Sequence, residues 1–441
     1  MSTRQNNGKG RGIGKFSMEV RKMWKKVGLA LVAVGLCLTL ILGAAISVCE
    51  ARPAREIVVG VRGSWTGALV DAVGPYASGT LDYFRYLNET QGGINGVPIK
   101  AMWYDNHSET TKDIFAHKRF VAAGAVLEYS YVAPGTWATL PLQERDEIPL
   151  FGNNIAEGMN TTPQWVWASV PPWNCMHASF ISWAKENWAE ERPPRFGYVA
   201  YNDPAAIFEG REGISEFCNK IGVEWVGHEV VPILTIDTST ELLRLAAKKP
   251  DWVYVHSYAS PLVVIIKDAA RLGLREEGIR FCSTAQAIDE IVVNTTGAAA
   301  AEGWYTLRVL PSPWEEGFLG GIKAPEMAVE REYIKKYRGL EPEEQSEWFP
   351  CGWGVAKIGA EGIRRALENV GIENLTGRAV RDAIFSTKDF DTGMLSHLVT
   401  LTDDKPYFVD DMLLYQVRQG KIVPVVPPTP YILPSELGVR L

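Results

Sequence analysis

The sequence holds no G-x-S-x-G elbow, no Cys-x-x-Cys pair and no G-x-G-x-x-G turn behind its first β-type run. Each absence removes a class. Hydrolases built on parallel sheets place their nucleophile on the missing elbow. A dinucleotide cofactor needs a glycine spacing that Gly60, Gly63, Gly67 and Gly74 do not supply, and Gly8, Gly10, Gly12 and Gly14 lie near no strand. No repeat of solenoid length is present. Basic charge is also in deficit: the 441 residues carry −7, and the first 51 hold eight Lys/Arg against Glu19 and Glu50, so the remainder stands at −13. No nucleic acid partner is expected for such a surface.

Cysteine is scarce and scattered. Cys37 and Cys49 belong to an N-terminal apolar stretch, and Cys175, Cys218, Cys282 and Cys351 are widely spaced in the rest. Those four pair in up to about three ways in an oxidising compartment, or stay as buried thiols.

What is present first is VGLALVAVGLCLTLILGAAISV, Val27 to Val48, behind a basic leader. Roughly 20 apolar residues are long enough to span a bilayer, and the run fades into Gly43, Ala44, Ala45 and Ser47. Residues 1–51 are read as a signal peptide or membrane anchor that sends the rest of the chain across a membrane. Three fates are open: cleavage after Ser47 or Ala51, lipidation of Cys49 despite the large Val48 before it, and retention as an anchor. Lys22, Lys25 and Lys26 stay on the cytoplasmic side in each, and Met18 is an alternative start.

From Arg55 short β-type runs alternate with amphipathic stretches. REIVVGV, VPIKAMWYD, AVLEY and IPLFG form a first series, with a helix over Tyr76 to Glu89 ended by Gly92-Gly93 and another capped at Ser108, with Glu109 and Asp113 near its positive end. RFGYVAY, VEWVGHEVV, DWVYVHS, IRFCS and GWYTLRVL form a second series, after a Pro- and Trp-rich crossing at Pro171-Pro172-Trp173. Strand, helix, strand with short links means parallel winding, so two doubly wound α/β lobes are expected. Helices follow near Pro325 to Tyr337, Trp353 to Asn369 and Gly377 to Ile384, then MLLYQV and KIVPVV, then a Pro-rich tail over 428–441, either an ordered strap or a frayed end.

Open α/β sheets bind ligands at the carboxyl ends of their strands. Those ends read Tyr129-Ser130-Tyr131, Gly152-Asn153-Asn154, Tyr201-Asn202-Asp203, His256-Ser257-Tyr258 and Ser283-Thr284-Ala285-Gln286, with Trp65 in the loop after the first strand. They offer π-faces and hydrogen-bonding groups with little formal charge. Asp105-x-His107-x-Glu109 has metal-type side chains but also reads as a helix start, and Cys175-x-His177 lacks a third group to orient the histidine as a base. No cofactor, metal or catalytic residue is expected.

The order of these motifs resembles the type I periplasmic binding proteins, in particular the leucine/isoleucine/valine-binding group. The resemblance runs from about Glu56 to Gly371 on IVVGVRGSWTGALVDAVG, the Gly-Gly-Ile-x-Gly ending of DYFRYLNETQGGINGVPIKAMWYDN, DEIPLFGNN, DWVYVHSYASPLVVIIKDAARLGL and AAAAEGWYTL. It implies two Rossmann-like lobes joined by three hinge crossings, near Cys175, Leu310 and Pro406, with a ligand cleft between them. Lobe 1 would be 55–175 plus 311–405 and lobe 2 176–310 plus 406–427. It implies an extracytoplasmic solute-binding protein that captures a small molecule by lobe closure and serves the permease and ATPase subunits of an ABC importer. A membrane-tethered sensor domain is the alternative.

Amino-acid binders of the family hold the ligand carboxylate with Ser/Thr groups and backbone N–H on lobe 1, and the ammonium with a Glu and a Tyr on lobe 2. On the matching loop, YSYVAPGTWA, Thr136 agrees, Ala133 stands where the leading serine is expected, and Gly135 lies between them. Tyr258 agrees on lobe 2, but Ala285 or Gln286 occupies the acidic position. Burying an unpaired ammonium costs several kcal/mol. The resemblance therefore points away from a standard α-amino acid, toward an amide, an aromatic acid or another amino-acid-like solute of modest polarity. The ligand-binding set expected is Trp65, Ser130, Tyr131, Ala133, Gly135, Thr136, Asn153, Asn154, Tyr201, Asp203, Tyr258 and Gln286.

Overall fold

The computed structural model describes residues 21–28, 55–154, 164–170, 173–202, 213–285, 287–308, 310, 324–341, 344–394, 398–402, 405–409 and 411–432. The chain divides into two units, Met1–Arg55 and Glu56–Leu441. Residues 21–28 of the first form a helix, and the apolar run beyond Gly28 lies outside the described residues with Cys37 and Cys49. Among the described residues no helix is long and apolar enough to cross a membrane.

In the second unit the first lobe opens with β1 (Ile57–Gly63), α1 (Val70–Gln91), β2 (Ile99–Asp105), α2 (Thr110–Ala122), β3 (Leu127–Tyr129), α3 (Ala133–Asp146), β4 (Leu150–Asn154) and β5 (Val166–Val170). The second lobe follows as α4 (Trp173–Glu186), β6 (Arg195–Tyr201), α5 (Ile214–Ile221), β7 (Glu224–Val231), α6 (Ser239–Ala246), β8 (Trp252–His256), α7 (Ala259–Arg271), β9 (Arg280–Ser283), α8 (Glu290–Thr296), α9 (Ala298–Ala301) and β10 (Tyr305–Arg308). The chain then forms α10 (Ala324–Arg338), α11 (Trp348–Val370) and α12 (Gly377–Ile384) before β11 (Asp411–Arg418), β12 (Lys421–Pro424) and β13 (Thr429–Pro430).

The first sheet runs β2-β1-β3-β4-β5, all parallel. The second runs β12-β11-β10-β9-β8-β6-β7, parallel from β6 to β10 and antiparallel at β11 and β12. A parallel strand buried on both faces alternates between two apolar sides. In β8, Trp252 and Tyr254 join the core under α4, while Val253 and Val255 join the one under α7.

Three sequence expectations shift. The helix expected over Tyr76 to Glu89 begins earlier, at Val70, with Asp71 in the first turn and Pro75 inside. Ser108 does not cap α2: Glu109 holds that position, while Ser108 Oγ accepts from Leu69 N at 3.1 Å and so fixes the approach to α1. Strand β5 hides in a proline- and tryptophan-rich stretch, and its pairing with β4 (Leu150 opposite Val166) is what reveals it. The tail contributes β13, which pairs with β11.

Residues 406–409 still run beside β5, with Ala168 N donating to Pro406 O and Phe408 N to Ala168 O. That pairing keeps residues 406–409 beside the first sheet. Cys175 lies in the first turn of α4. Cys175, Cys218, Cys282 and Cys351 are all buried, none bonded to another of them.

Two glycine features are needed by the backbone. Gly93 stands at φ 101°, and a Cβ there would collide with Val97 O, so the turn after α1 admits no side chain. Helices α1 and α11 cross in backbone contact: a Cβ on Gly79 would meet Phe349 O and one on Gly352 would meet Tyr76 O. Gly352→Ala is expected to destabilise the fold by about 1–3 kcal/mol through forced separation of the helices, read from the urea midpoint at unchanged slope.

Candidate functional site

The carboxyl ends of the two parallel sheets meet. Asp71, in the first turn of α1, accepts from Ser260 N at 2.8 Å and Ser260 Oγ at 2.6 Å, which ties the first lobe to the start of α7. Behind that contact a cavity of about 30 Å³ is lined by Tyr131 and Trp348 from the first lobe, Tyr201, His256 and Tyr258 from the second, and Trp173 at the start of α4. The rings touch edge to face, Tyr131 to Trp348 at 4.9 Å between centroids, Tyr201 to Tyr258 at 5.2 Å and Trp173 to His256 at 4.2 Å.

Burial keeps the titratable groups described in this chamber uncharged. It pushes His256 down to about 3, so the imidazole is uncharged, and Nδ1 sits 2.8 Å from the Tyr198 hydroxyl. Burial, with Tyr258 alongside, holds the Tyr131 phenol well above its usual range.

A second compartment of about 220 Å³ adjoins it and shares Tyr201 and Tyr258. Its first-lobe wall is Asn106, Ser108, Thr110, Asp113 and Gly135, and Asn202 and Ile233 face them. Under this wall lies a buried polar network. Asp113 Oδ1 accepts from Asn106 Nδ2 at 2.9 Å, and Asn106 Oδ1 accepts from Ser64 Oγ at 2.5 Å. Arg62 is 3.3 Å from Glu128 and 4.0 Å from Asp113, and its Nη1 donates to Thr139 Oγ1 at 3.0 Å. The His117 ring bridges Glu128 at 2.8 Å and Asp146 at 2.9 Å. Burial raises the Asp113 carboxyl against the pull of Arg62 and Asn106; at Glu128 burial also pushes upward, but His117 and Arg62 outweigh it and lower the group.

The residues singled out in the sequence separate accordingly. Tyr131, Tyr201 and Tyr258 line the aromatic chamber, and Gly135 the polar one. Ser130 and Ala133 are buried beside them, and Thr136 is buried with its hydroxyl donating to Val132 O at 3.1 Å, so the helix already occupies it. Trp65 lies elsewhere: its Nε1 donates to Ser78 Oγ at 2.9 Å and its ring packs on Trp103, in an outer groove along β2. Asn153 and Asn154 end β4. Asp203 and Gln286 lie outside the described residues, while Ala285 lines the aromatic chamber.

The other motifs are engaged in local contacts. Asp105 accepts from His107 N at 3.0 Å and from Thr66 Oγ1 at 3.0 Å, and Glu109 pairs with Lys112 at 2.9 Å, which is the helix-start arrangement. Among the described residues no group of three His, Cys, Asp or Glu is placed to hold a metal ion. Cys175 and His177 lie buried in α4, with the His177 ring against Tyr198, Tyr254 and His256. Asp71, Asn106, Thr110, Asp113, Trp173 and Trp348 belong to the site but not to the set expected from the sequence.

Two α/β lobes that meet strand-end to strand-end over a shared chamber define a two-lobed binding module. The sequence model of the periplasmic binding protein family matches residues 56–421, and the chain belongs to that family. The family is an extracytoplasmic one. No curated relative matches the chain in sequence. Among solved structures the fold is similar to that of a branched chain amino acid ABC transporter protein from Thermus thermophilus with bound valine, at TM-score 0.75 and 20% identity over 87% of this chain and 98% of that one. It is also similar to a fatty acid ABC transporter substrate-binding protein from Thermomonospora curvata, at 0.69 and 15% over 85% and 92%. A branched-chain amino acid transporter substrate binding protein from Streptococcus pneumoniae in complex with isoleucine matches at 0.67 and 17% over 85% and 100%.

Proposed function

We propose that this chain is the solute-binding protein of an ABC importer, capturing one small molecule between its lobes outside the cytoplasmic membrane and presenting the closed form to a permease. The observation that carries this is the chamber to which both sheets contribute aromatic strand-end residues, Tyr131 from one and Tyr201 and Tyr258 from the other. Closure needs only a solute with higher affinity for the closed state, and no chemistry. The aromatic walls and neutral His256 favour a modestly polar, amino-acid-like, amide or aromatic solute over a strongly charged one. Export is assigned to residues 1–51, with the three fates of that leader open to direct mass measurement of the mature chain.

A thermal-shift screen against amino acids, amides, aromatic acids and small sugars tests the reading. A solute at a hundred times its dissociation constant stabilises a protein by about 2.7 kcal/mol. Tyr258→Ala removes a wall shared by both compartments and is expected to weaken that solute at least tenfold, without lowering the melting temperature of the protein alone by more than a few degrees. Unchanged affinity in Tyr258→Ala would place the solute elsewhere.

A further inference from the structure

The start of α3 is where the resemblance puts a ligand carboxylate, held by backbone N–H groups at the positive end of a helix. In this chain that place is taken. A Cβ on Gly135, in the first turn of α3, would collide with Asp113 Oδ2, so the Asp113 carboxylate lies directly against the helix start. Pro134 beside it offers no N–H. A second carboxylate brought here would meet like charge in a confined space.

We propose that the 220 Å³ compartment is the second half of the solute site and takes a hydrogen-bond-donating head group, an ammonium or a primary amide, on Asp113, while the aromatic or apolar end of the same molecule lies against Tyr131, Tyr258 and Trp348. The inference rests on the solute-binding reading above. Asp113 is the one Asp, Glu, Lys or Arg that lines either compartment among the described residues. Its Oδ1 accepts from Asn106 and lies 4.0 Å from Arg62 Nη1, and its Oδ2 lies against Gly135, which orients the carboxylate. Asn106, Ser108, Thr110 and Asn202 supply neutral hydrogen-bonding groups around it. Tyr201 and Tyr258 line both compartments, so one molecule spans them without leaving the cleft. The acidic partner for a donor head group thus comes from the first lobe, where the second-lobe strand end offers Ala285.

Three probes of one skeleton separate the head groups: benzylamine, benzamide and benzoate, measured by melting temperature and calorimetry on the full chain in detergent. The amine and the amide are expected to raise the melting temperature, and benzoate to bind at least tenfold more weakly. Asp113→Asn is expected to weaken benzylamine at least tenfold while benzamide changes less than threefold; the wild-type ranking stands as a test even if that variant folds poorly. Benzoate binding as tightly as the amine, unchanged benzylamine affinity in a folded Asp113→Asn, or silence toward amine and amide in a protein that responds to another solute overturns the assignment. A protein that responds to no solute in the broad screen refutes the solute-binding reading itself, and this inference with it.

Discussion

Replacing Arg62 with methionine is expected to lower the unfolding free energy by about 3–5 kcal/mol at pH 7, because it strands buried carboxylates without their cation. Arg62 lies fully buried in β1, 3.3 Å from Glu128 and 4.0 Å from Asp113. A methionine fills similar volume, so the loss reads electrostatics more than packing. Glu128→Gln added to Arg62→Met removes one stranded charge and is expected to recover part of the loss, a coupling that a double-mutant cycle in urea isolates. If Arg62→Met costs less than about 1 kcal/mol, the network is not a charged one.

Glu330→Gln is expected to remove a steep loss of stability with rising pH. Glu330 is buried in α10, and burial lifts its carboxyl to about 8, with Asp82 nearby adding to the rise and Arg331 opposing it. Asp82 is itself committed to Arg338 and Arg85. A group raised in the folded state contributes stability that is complete below the unfolded value of about 4.5 and is lost as pH climbs through about 8. At 1.36 kcal/mol per pH unit that loss is about 5 kcal/mol. Unfolding measured from pH 4 to 9 should show the wild type losing stability relative to Glu330→Gln, with the variant the more stable above pH 8. Parallel curves would sink the assignment.

Much of the frame was legible. Short apolar β-type runs such as RFGYVAY, which reappears as β6 without change of bounds, carried the alternation, and Gly92-Gly93 fixed the end of α1. Strand β5 was hidden because VWASV is short and stands among prolines, which read as a break between elements rather than as a strand. Asp71 and Asp113 were hidden for another reason. Asp71 stood ahead of the helix read from Tyr76, and Asp113 was accounted for by the helix dipole, so only tertiary placement shows Asp71 reaching Ser260 and Asp113 pressed on Gly135. Arg62 inside IVVGVRG and Glu128 inside LEY were a usable signal, since charges within doubly covered parallel strands must find each other.

The Asp71–Ser260 contact bears on the kinetics of capture. With about 30 Å³ left among Tyr131, Tyr201, Tyr258 and Trp348, the described walls leave room for about one water, so seating a ring there requires the seam to part. The association rate is then expected to rise with solute concentration and level off at the frequency with which two hydrogen bonds to one carboxylate oxygen break. Asp71→Ala is expected to raise that ceiling and, because the same bonds hold the lobes together afterwards, to shorten the residence time of a bound solute.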